Sequence, residues 1–515
     1  MNVTQGQKLG GRRLLVAGVG FALLSGCLMG TRAWADTSQL WGRNGAVWSA
    51  QGRIPDYSFA GYHSGDAPIP TVEVKGNVRD FGAKGDGVSD DTEAFKRAIA
   101  ATNDGALLIP AGRYLLSDML TIGKSNLVLR GEGAEKTVLF FSKSLEEIKP
   151  APTKNTGGTP TSNYSWSGGL IRVEGKQTGA EVGVVKTRAA RGTQVIELEA
   201  APTGLKSGQK IEIRQTDADN NTLLQHLYAG QTGDTREVTK THTSFVSRVE
   251  RIQGNKLWLQ RTLRTDISPQ WKATVRVFAP SVTEVGIEDL GFDFPRKPYR
   301  GHFTEVGYNP LTFPGAADCW ARNLRIFNAD SGPFISGTFI SVENVVFDAD
   351  RTADKAGEQG HHGFTVGTDT LFRGFDFRIK FVHDISAEDS AAGNVIADGK
   401  GVDLCFDSHK RFPHANLYTN IDIGKGNRMY SSGGGNALGR NSAAWTTFWN
   451  IRAARPQAWP PTNYAPDMIT LVGVQTDKPA QTDKEGRWFE PLTAVEPTNL
   501  YDAQMEWRHR DVVRF

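Results

Sequence analysis

The sequence predicts an all-β chain that folds as a parallel β-helix, and three observations lead to this prediction. Short β-rich segments recur every 21 to 26 residues or so across 282–455, as in NLRIFNAD from Asn323, NVVFDADR from Asn344 and NVIADGKG from Asn394. Asparagine returns at the same point of the repeat, as expected if side-chain amides stack between coils. A single amphipathic helix precedes the strands, where an open solenoid end needs a cover.

That helix is predicted from the stretch FGAKGDGVSDDTEAFKRAIAA, residues 81–101. The glycine-rich start is typical of a loop with left-handed backbone, and the acidic residues after it favour a helix N-terminus. Alanine, isoleucine and Phe95 recur on one apolar face over 91–101. We therefore expect a short helix whose apolar face closes the first coil.

The first 35 residues predict an export signal. A basic region precedes an apolar run over 14–28, and AWA at 33–35 is a small-x-small cleavage pattern. The sequence LSGC offers an alternative, a lipoprotein acylated at Cys27. We expect an exported protein, periplasmic or secreted, that meets a membrane only if Cys27 carries a lipid.

Charge and cysteine content limit the classes of partner. The net charge of +3 lacks the strongly basic character of a nucleic-acid-binding protein, so no nucleic-acid partner is expected. It is compatible with an acidic substrate. After removal of the signal only Cys319 and Cys405 remain, and two buried free thiols are favoured over a disulfide.

The order of segments predicts six parts. Strand patterns with polar turns interrupt the repeats after the first coils and predict an inserted β subdomain. The tail is rich in proline and tryptophan and ends in a helical pattern over 500–510. The predicted parts are the signal (1–35), an N-terminal extension (36–77), the start of the β-helix with its capping helix (78–177), the inserted subdomain (178–280), the coils that carry the site (281–455) and a C-terminal cap (456–515).

One stretch allows a family resemblance to be named. VRDFGAKGDGVSDDTEAFKRAIAA at 78–101, followed by IPAGRYLLS, resembles the opening motif of the pectate lyase and polygalacturonase-like β-helix superfamily. The resemblance implies a right-handed, single-stranded β-helix and carbohydrate chemistry. It does not fix the reaction, because the superfamily contains hydrolases, lyases, epimerases and phage tailspikes.

A candidate site follows from the alternation of side chains along strands. HDISAED at 383–389 and VDLCFDSH at 402–409 occupy equivalent places in successive coils, with Ile385 and Phe406 pointing inward. Aligned in this way, Asp384 stacks beside Asp403 and Glu388 beside Asp407 on the outer surface, about 5 Å apart. Carboxylates this close need shared protons, a metal ion or basic neighbours.

Basic residues lie close to these carboxylates in sequence, in GHHG at 360–363, FRIK at 377–380 and DSHKRFPH at 407–414. GHHG and FRIK also resemble histidine and arginine-lysine motifs of polygalacturonases, although their separation here is shorter than one coil. The candidate catalytic residues are Asp384, Asp403, Asp407, His361, His362 and Lys380. The candidate substrate-binding residues are Arg378, His383, Glu388, His409, Arg411, Asp330 and Asp350.

The leading hypothesis is hydrolysis of a polysaccharide or oligosaccharide by a carboxylate acid and base. The first alternative is a lyase that performs β-elimination on a uronate polymer. Lys380 or Arg378 would then be the base, and Asp384, Asp403 and Asp407 would hold calcium. The second alternative is a glycan-binding solenoid without catalysis. No cofactor is expected to be required, with calcium as the exception just named.

Overall fold

The computed structural model describes residues 36–155, 157–217, 221–476 and 486–512. The predicted export signal and Cys27 lie outside this range. Within the described ranges, no helix has the length and apolar character needed to span a bilayer. The strands of the solenoid join in one network of parallel pairs, and the prediction of a right-handed parallel β-helix is confirmed.

Three strand stacks, here called faces A, B and C, form the walls of the solenoid. Two long strands, Leu311–Phe327 and Phe334–Asp348, bend through all three. Face A also contains Val74–Asn77, Gly105–Leu108, Leu127–Arg130, Gly286–Glu288, Leu371–Arg373, Val395–Ala397, Leu417–Asp422, Thr447–Arg452, Thr470–Val474 and Trp488–Glu490. Face B contains Asp86–Asp90, Gly112–Leu116, Thr137–Phe141, Gly291–Asp293, Asp376–Phe377 and Lys400–Gly401. Face C contains Leu120–Ile122, Ile171–Val173, His362–Thr368, His383–Ala392 and Phe406–Ser408.

Aromatic side chains stack between coils inside the solenoid. Phe347 and Phe377 are partners on adjacent coils, and their ring centroids lie 4.1 Å apart. Phe364 and Phe372 stack at 3.8 Å. These side chains belong to one continuous buried cluster that runs from the first coil to Phe489. Inward-facing residues of successive strands thus build the core by repetition.

The predicted asparagine stacking is confirmed. Nδ2 of Asn344 donates to Oδ1 of Asn323 on the preceding coil at 3.1 Å, and both residues have left-handed backbone. Nδ2 of the buried Asn394 donates to Oδ1 of Asn416 at 2.9 Å. Asparagine tolerates the left-handed conformation, and its amide satisfies polar groups where the chain turns.

The capping helix spans Thr92–Ala101 and packs Phe95 and Ile99 onto the first coil. Asp91 precedes it, and its carboxylate accepts hydrogen bonds from the backbone N–H groups of Lys84 (2.7 Å) and Gly85 (3.0 Å). The acidic residue therefore fixes the glycine-rich loop to the start of the helix. This contact explains why loop and helix occur together in the motif.

Replacing Phe95 with aspartate is expected to lower the free energy of unfolding by at least about 3 kcal/mol, since it buries an unpaired charge. Phe95 is fully buried, and its ring lies 5.3 Å from that of Tyr114. Denaturant-induced unfolding measures the change. Glu93→Ala on the exposed side of the same helix is the control and should stay within about 0.5 kcal/mol. Equal stability of the two variants would contradict the capping role.

Between faces C and A of neighbouring coils, the chain forms a separate antiparallel sheet of six strands. In spatial order these are Glu181–Val184, Thr274–Val277, Lys210–Asp217, Thr241–Gln253, Lys256–Leu259 and Val195–Glu197. The sheet has its own apolar core. A short helix, Thr222–Leu227, packs against Phe412 of the solenoid. Whether this region folds independently stays a prediction.

Smaller elements complete the described chain. Asp36–Thr37 pairs with Val495–Glu496, and Pro152–Lys154 pairs with Pro160–Ser162. The short helices are Arg43–Gly45, Tyr62–Gly65, Val78–Phe81, Leu145–Ile148, Asn163–Ser165 and Pro269–Trp271. Cys319 and Cys405 are free and buried.

The predicted C-terminal helix is present as Leu500–Val512, but it does not cover the end of the solenoid. It lies along the outer surface of face A, where Tyr501 joins one apolar cluster with Trp41, Leu417 and Trp449. Outward-facing apolar residues on successive strands of face A need a cover. The N-terminal extension and this helix provide it together.

Candidate functional site

Three neighbouring strands of face C bring together most of the predicted histidines. His362 in the strand His362–Thr368 pairs with His383 in the strand His383–Ala392. Ser386 in the second of these strands pairs with Asp407 on the next coil. The strand Phe406–Ser408 ends just before His409. Parallel pairing in register therefore places residues that are 21 to 24 positions apart in the sequence side by side.

These residues form what we call the histidine cluster, in which ring centroids of neighbours lie between 4.2 and 5.8 Å apart. The sequence pointed to four of its members, and the fifth, His302, comes from the loop between Gly291–Asp293 and Leu311–Phe327. That loop has no repeat pattern, so His302 could not be identified from the sequence. The cluster comprises His302, His361, His362, His383 and His409.

Asp407 is the centre of the hydrogen bonding in the cluster. It is fully buried, and its Oδ2 lies 2.8 Å from Nδ1 of His409 and accepts the hydroxyl of Ser386 at 2.8 Å. Its Oδ1 accepts the backbone N–H of Gly433 at 2.8 Å. Nδ1 of His362 lies 3.0 Å from the Ser386 oxygen. A chain of hydrogen bonds thus links His409, Asp407, Ser386 and His362.

This chain fixes the tautomers of two histidines. A carboxylate only accepts hydrogen bonds, so Nδ1 of His409 carries a proton. The Ser386 hydroxyl gives its only proton to Asp407, so its oxygen accepts one from Nδ1 of His362. In the neutral His362 ring, Nε2 therefore carries the lone pair that can bind a proton.

Gly433 explains why its segment can approach the cluster so closely. A Cβ atom at this position would lie 2.3 Å from Cε1 of His409 and 2.9 Å from Cε1 of His383. Any side chain would push the two rings away. Glycine therefore permits the backbone N–H to reach Asp407.

The electrostatics of the cluster separate its members by protonation state. Burial by itself would raise the pKa of Asp407, but His383 and His409 hold that pKa well below its usual range. Burial lowers the pKa of His409, yet the charge and hydrogen bond of Asp407 outweigh it and raise the pKa to about 9. Burial lowers the pKa of His383 to about 4, and those of His361 and His362 also fall well below the ordinary value. At neutral pH, His409 is thus an imidazolium beside neutral rings.

A groove with a cavity of about 520 Å³ runs along face C beside the cluster. Its lining includes Glu388 and Phe334, whose ring lies 6.1 Å from that of His362. Tyr164, Trp166 and Arg172 also line it. Burial and the negative charge of Asp407 raise the pKa of Glu388. The charge of His409 opposes this rise. The groove therefore offers aromatic and charged groups to an extended ligand.

A larger cavity of about 780 Å³ lies elsewhere, between the N-terminal extension, face A and the C-terminal helix. Two of its arginines are already paired, since Arg373 contacts both Asp398 and Asp502, and Arg510 contacts Glu506. Size alone therefore does not make it the better candidate site.

The predicted pairing of carboxylates is wrong by two residues. Asp407 stands beside Ser386, and Cys405 rather than Asp403 follows at the position beside Asp384. Residues 400–403 complete face B and the bend, so the strand of face C begins only at Phe406. A shift of two residues keeps the inward and outward faces, which explains why Ile385 and Phe406 nevertheless point inward as predicted.

Asp384 does not face the groove. It is buried, and its carboxylate accepts the backbone N–H groups of Phe381 (2.9 Å) and Cys405 (2.8 Å) and pairs with Arg428. Burial raises its pKa, and Arg428 and the hydrogen bonds oppose that rise. Asp403 lies outside the cluster and accepts hydrogen bonds from the backbone and side chain of Asn427. Catalytic roles for these two aspartates stay predictions, and their contacts are those of structural residues.

The remaining candidates are also distributed around the site rather than in it. Nζ of Lys380 donates to the Ala356 carbonyl, and the exposed Arg378 pairs with Asp348 and Asp376. Asp330 is buried with Arg351 and accepts the N–H groups of Val306 and Tyr308, which anchors the loop that carries His302. Asp350 accepts the side-chain amide of Asn328. Arg411 is close enough to Glu388 to lower its pKa.

Metal ligation was predicted for Asp384, Asp403 and Asp407 together. Among the described residues, these three do not form a group with ligand atoms within 4.8 Å of one another. Two groups do meet that distance: His302 with His361 and His383, and His383 with Asp407 and His409. The donors that come together are therefore mainly imidazoles, which suit transition metals better than calcium.

Comparison with known families supports the resemblance seen in the sequence. Residues 76–239 match the family model described as rhamnogalacturonase A/epimerase, pectate lyase-like. The matched range includes the capping helix and the first coils. The resemblance to pectate lyase-like β-helix proteins is confirmed.

Individual relatives match smaller parts of the chain. Alginate lyase 7 of Azotobacter vinelandii is 34% identical over 114 residues, which are 20% of this chain and 13% of the lyase. Mannuronan C5-epimerase AlgE5 of the same organism is 39% identical over 101 residues, 18% of this chain and 10% of the epimerase. The chain thus matches only a small part of the length of these carbohydrate-active enzymes.

Among solved structures, the tailspike protein gp49 of Pseudomonas phage LKA1 aligns with 79% of this chain and 68% of its own, at 12% identity and a TM-score of 0.44. A likeness this distant has no bearing on function.

Proposed function

We propose that this chain is a polysaccharide lyase that acts on a uronate-containing polymer, with the histidine cluster as its active site. The observation that carries the proposal is the hydrogen-bonded chain from His409 through Asp407 and Ser386 to His362. It places a ring held as an imidazolium and a ring with a free lone pair in one site. Elimination needs an acid and a base in this arrangement.

The reaction can be written with these two residues. Nε2 of His362 removes the proton at C5 of the uronate, and the electron pair forms the C4–C5 double bond. The C4–O4 bond breaks, and the leaving O4 takes a proton from Nε2 of His409. Asp407 does not react; it is a positioning residue that keeps the Nδ1 proton on His409 and, through Ser386, on His362.

Contacts of the carboxylates favour elimination over hydrolysis. A glycosidase needs two carboxyl groups that can both reach the glycosidic bond or its water. Asp384 is engaged by Arg428 and two backbone N–H groups, and Asp407 accepts three hydrogen bonds. Glu388 alone among the predicted carboxyl groups of this region lines the groove. Hydrolysis would have to use Glu388 together with Asp389, its exposed neighbour in the groove lining, in place of the aspartates predicted from the sequence.

The charges at the groove and the names of the relatives both support an anionic polysaccharide as substrate. His409 is a cation beside the groove, and Arg172 lines it. Both favour an anionic sugar. The names of the two relatives refer to alginate and mannuronan, which are uronate polymers. We therefore place alginate and polymannuronate first among the candidate substrates.

The test is the product formed from a panel of alginate, polymannuronate, polygalacturonate and a neutral β-1,3-glucan. Elimination should give ultraviolet-absorbing unsaturated ends in equal number to new reducing ends, and only from uronate polymers. His362→Gln and His409→Gln should each lower turnover by about 10² to 10⁴-fold, whereas His63→Gln, outside the cluster, should not. Reducing ends without unsaturation would overturn elimination in favour of hydrolysis. Deuterium exchange at C5 without chain cleavage would indicate epimerisation.

The same panel tests the lysine base predicted from the sequence. Lys380→Ala should retain activity, because Nζ of Lys380 is engaged by the Ala356 carbonyl and Glu358. Loss of activity in this variant, with His362→Gln unaffected, would contradict the roles proposed here.

A further inference from the structure

We propose that His302, His361 and His383 bind a divalent transition metal ion, with zinc as the expected ion. One nitrogen of each ring lies within 4.8 Å of a nitrogen of the other two. Donors on a tetrahedral zinc ion lie about 3.4 Å apart, given Zn–N bonds of about 2.05 Å. The three rings would therefore have to approach one another when the ion binds.

Buried polar atoms in the same place show which nitrogen of each ring an ion would bind. Nδ1 of His361, Nδ1 of His383 and Oε2 of Glu305 are buried without a hydrogen-bond partner. The three residues are 1%, 7% and 3% exposed. Each of these two nitrogens faces a carboxylate without a hydrogen bond, which leaves Nε2 of His361 and of His383 as the nitrogen available to an ion.

Carboxylates stand beside two of the three rings. Oε2 of Glu305 lies 3.5 Å from Nδ1 of His361, and Oδ2 of Asp407 lies 3.4 Å from Nδ1 of His383. The other oxygen of Glu305 accepts the Tyr299 hydroxyl at 2.6 Å, which fixes its direction. Zinc-binding histidines characteristically have a carboxylate beside them, which orients the ring and makes it more basic.

The three ligands come from different parts of the chain, which would bind the ion firmly and leave one side of it open to solvent. His361 and His383 come from adjacent coils of face C, whereas His302 comes from the loop anchored through Asp330. Because His302 is exposed, the site opens towards solvent on that side. Three histidines with an open fourth position are the pattern of zinc sites that bind a water molecule or a substrate.

The role of this ion rests on the proposed function. Removal of the C5 proton leaves negative charge next to the uronate carboxylate, and a metal ion bound to that carboxylate would stabilise it as a Lewis acid. In the hypothesis drawn from the sequence, calcium on three aspartates had this task. Here the histidines next to His362 and His409 would hold the ion.

The test is zinc binding by the full chain, stripped of metal with a chelator and titrated with zinc chloride by calorimetry. We expect one ion per chain and at least about a hundredfold weaker binding in His302→Ala and in His361→Ala. His302→Ala keeps the fold, since its ring is exposed, and thermal unfolding verifies this. His63→Gln is the control and should bind as the unaltered chain does. No saturable binding, or equal affinity in His302→Ala, would overturn the site.

The two proposals fail in different ways. Zinc binding lost in His302→Ala, together with no cleavage of any uronate polymer, would leave the metal site standing and refute the lyase. Unsaturated products from a chain that binds no zinc would refute the metal site and leave the lyase.

Discussion

Asp407→Asn is expected to lower turnover by about 10³-fold or more. The amide cannot accept all three hydrogen bonds that the carboxylate accepts from His409, Ser386 and Gly433. Its NH₂ group would face donors, and the Nδ1 proton of His409 would lose its partner. The equivalent change in the aspartate of a Ser-His-Asp triad costs about 10⁴-fold in kcat through the wrong tautomer.

Two measurements separate this positioning role from a loss of structure. Steady-state kinetics should show the change in kcat with a much smaller change in KM, and circular dichroism should show an intact fold. Nitrogen chemical shifts of His409 should report the altered tautomer. Asp403→Asn is the matched variant and should retain activity, because Asp403 contacts Asn427 outside the cluster. Equal losses in the two variants would contradict the positioning role assigned to Asp407 in the cluster.

Asp369→Asn is expected to lower the free energy of unfolding by about 3 to 5 kcal/mol. Asp369 is paired with Arg261, with contacts of 2.7 and 2.9 Å, and with Arg264. The three side chains are 1%, 4% and 6% exposed, so the substitution leaves two buried guanidinium groups without their counter-charge. Asparagine tolerates the left-handed backbone of this position, so strain does not confuse the result.

Thermal unfolding and limited proteolysis of the inserted region measure this effect, because both arginines belong to that region and Asp369 belongs to the solenoid. Asp234→Ala is the control within the same region. Asp234 pairs with Arg236 at the surface, where the pair contributes about 0 to 1 kcal/mol. If both variants unfold alike, the buried arginines do not depend on Asp369 for their stability.

The repeat pattern was sufficient to predict the solenoid. Inward-facing Ile385 and Phe406, the asparagine stacks and the capping helix all follow from local alternation and spacing. The register between coils was harder. The length of the bend before Phe406 sets this register. The prediction placed Asp407 beside Glu388, whereas a register shifted by two residues places it beside Ser386, on the same side of the strand.

The chemistry of the site was only partly predictable for a related reason. The repeat pattern identified four of the histidines, because each lies in or next to a strand of the repeat: His361, His362, His383 and His409. His302 lies in an irregular loop about 60 residues before its partners, and a single sequence contains no sign of that contact. Burial also cannot be read from strand alternation. Asp384 points outward from the solenoid core and is still covered, because Arg428 lies over it.

The hydrogen-bond network around Asp407 has a consequence for inheritance. Its members at 362, 386, 407 and 433 are separated by 24, 21 and 26 residues and come from four successive coils, with His409 on the same coil as Asp407. In a solenoid each repeat contacts only its neighbours. A single transplanted coil would bring one fragment of the network and separate the others. The proposed activity can therefore be inherited only as a block of consecutive repeats.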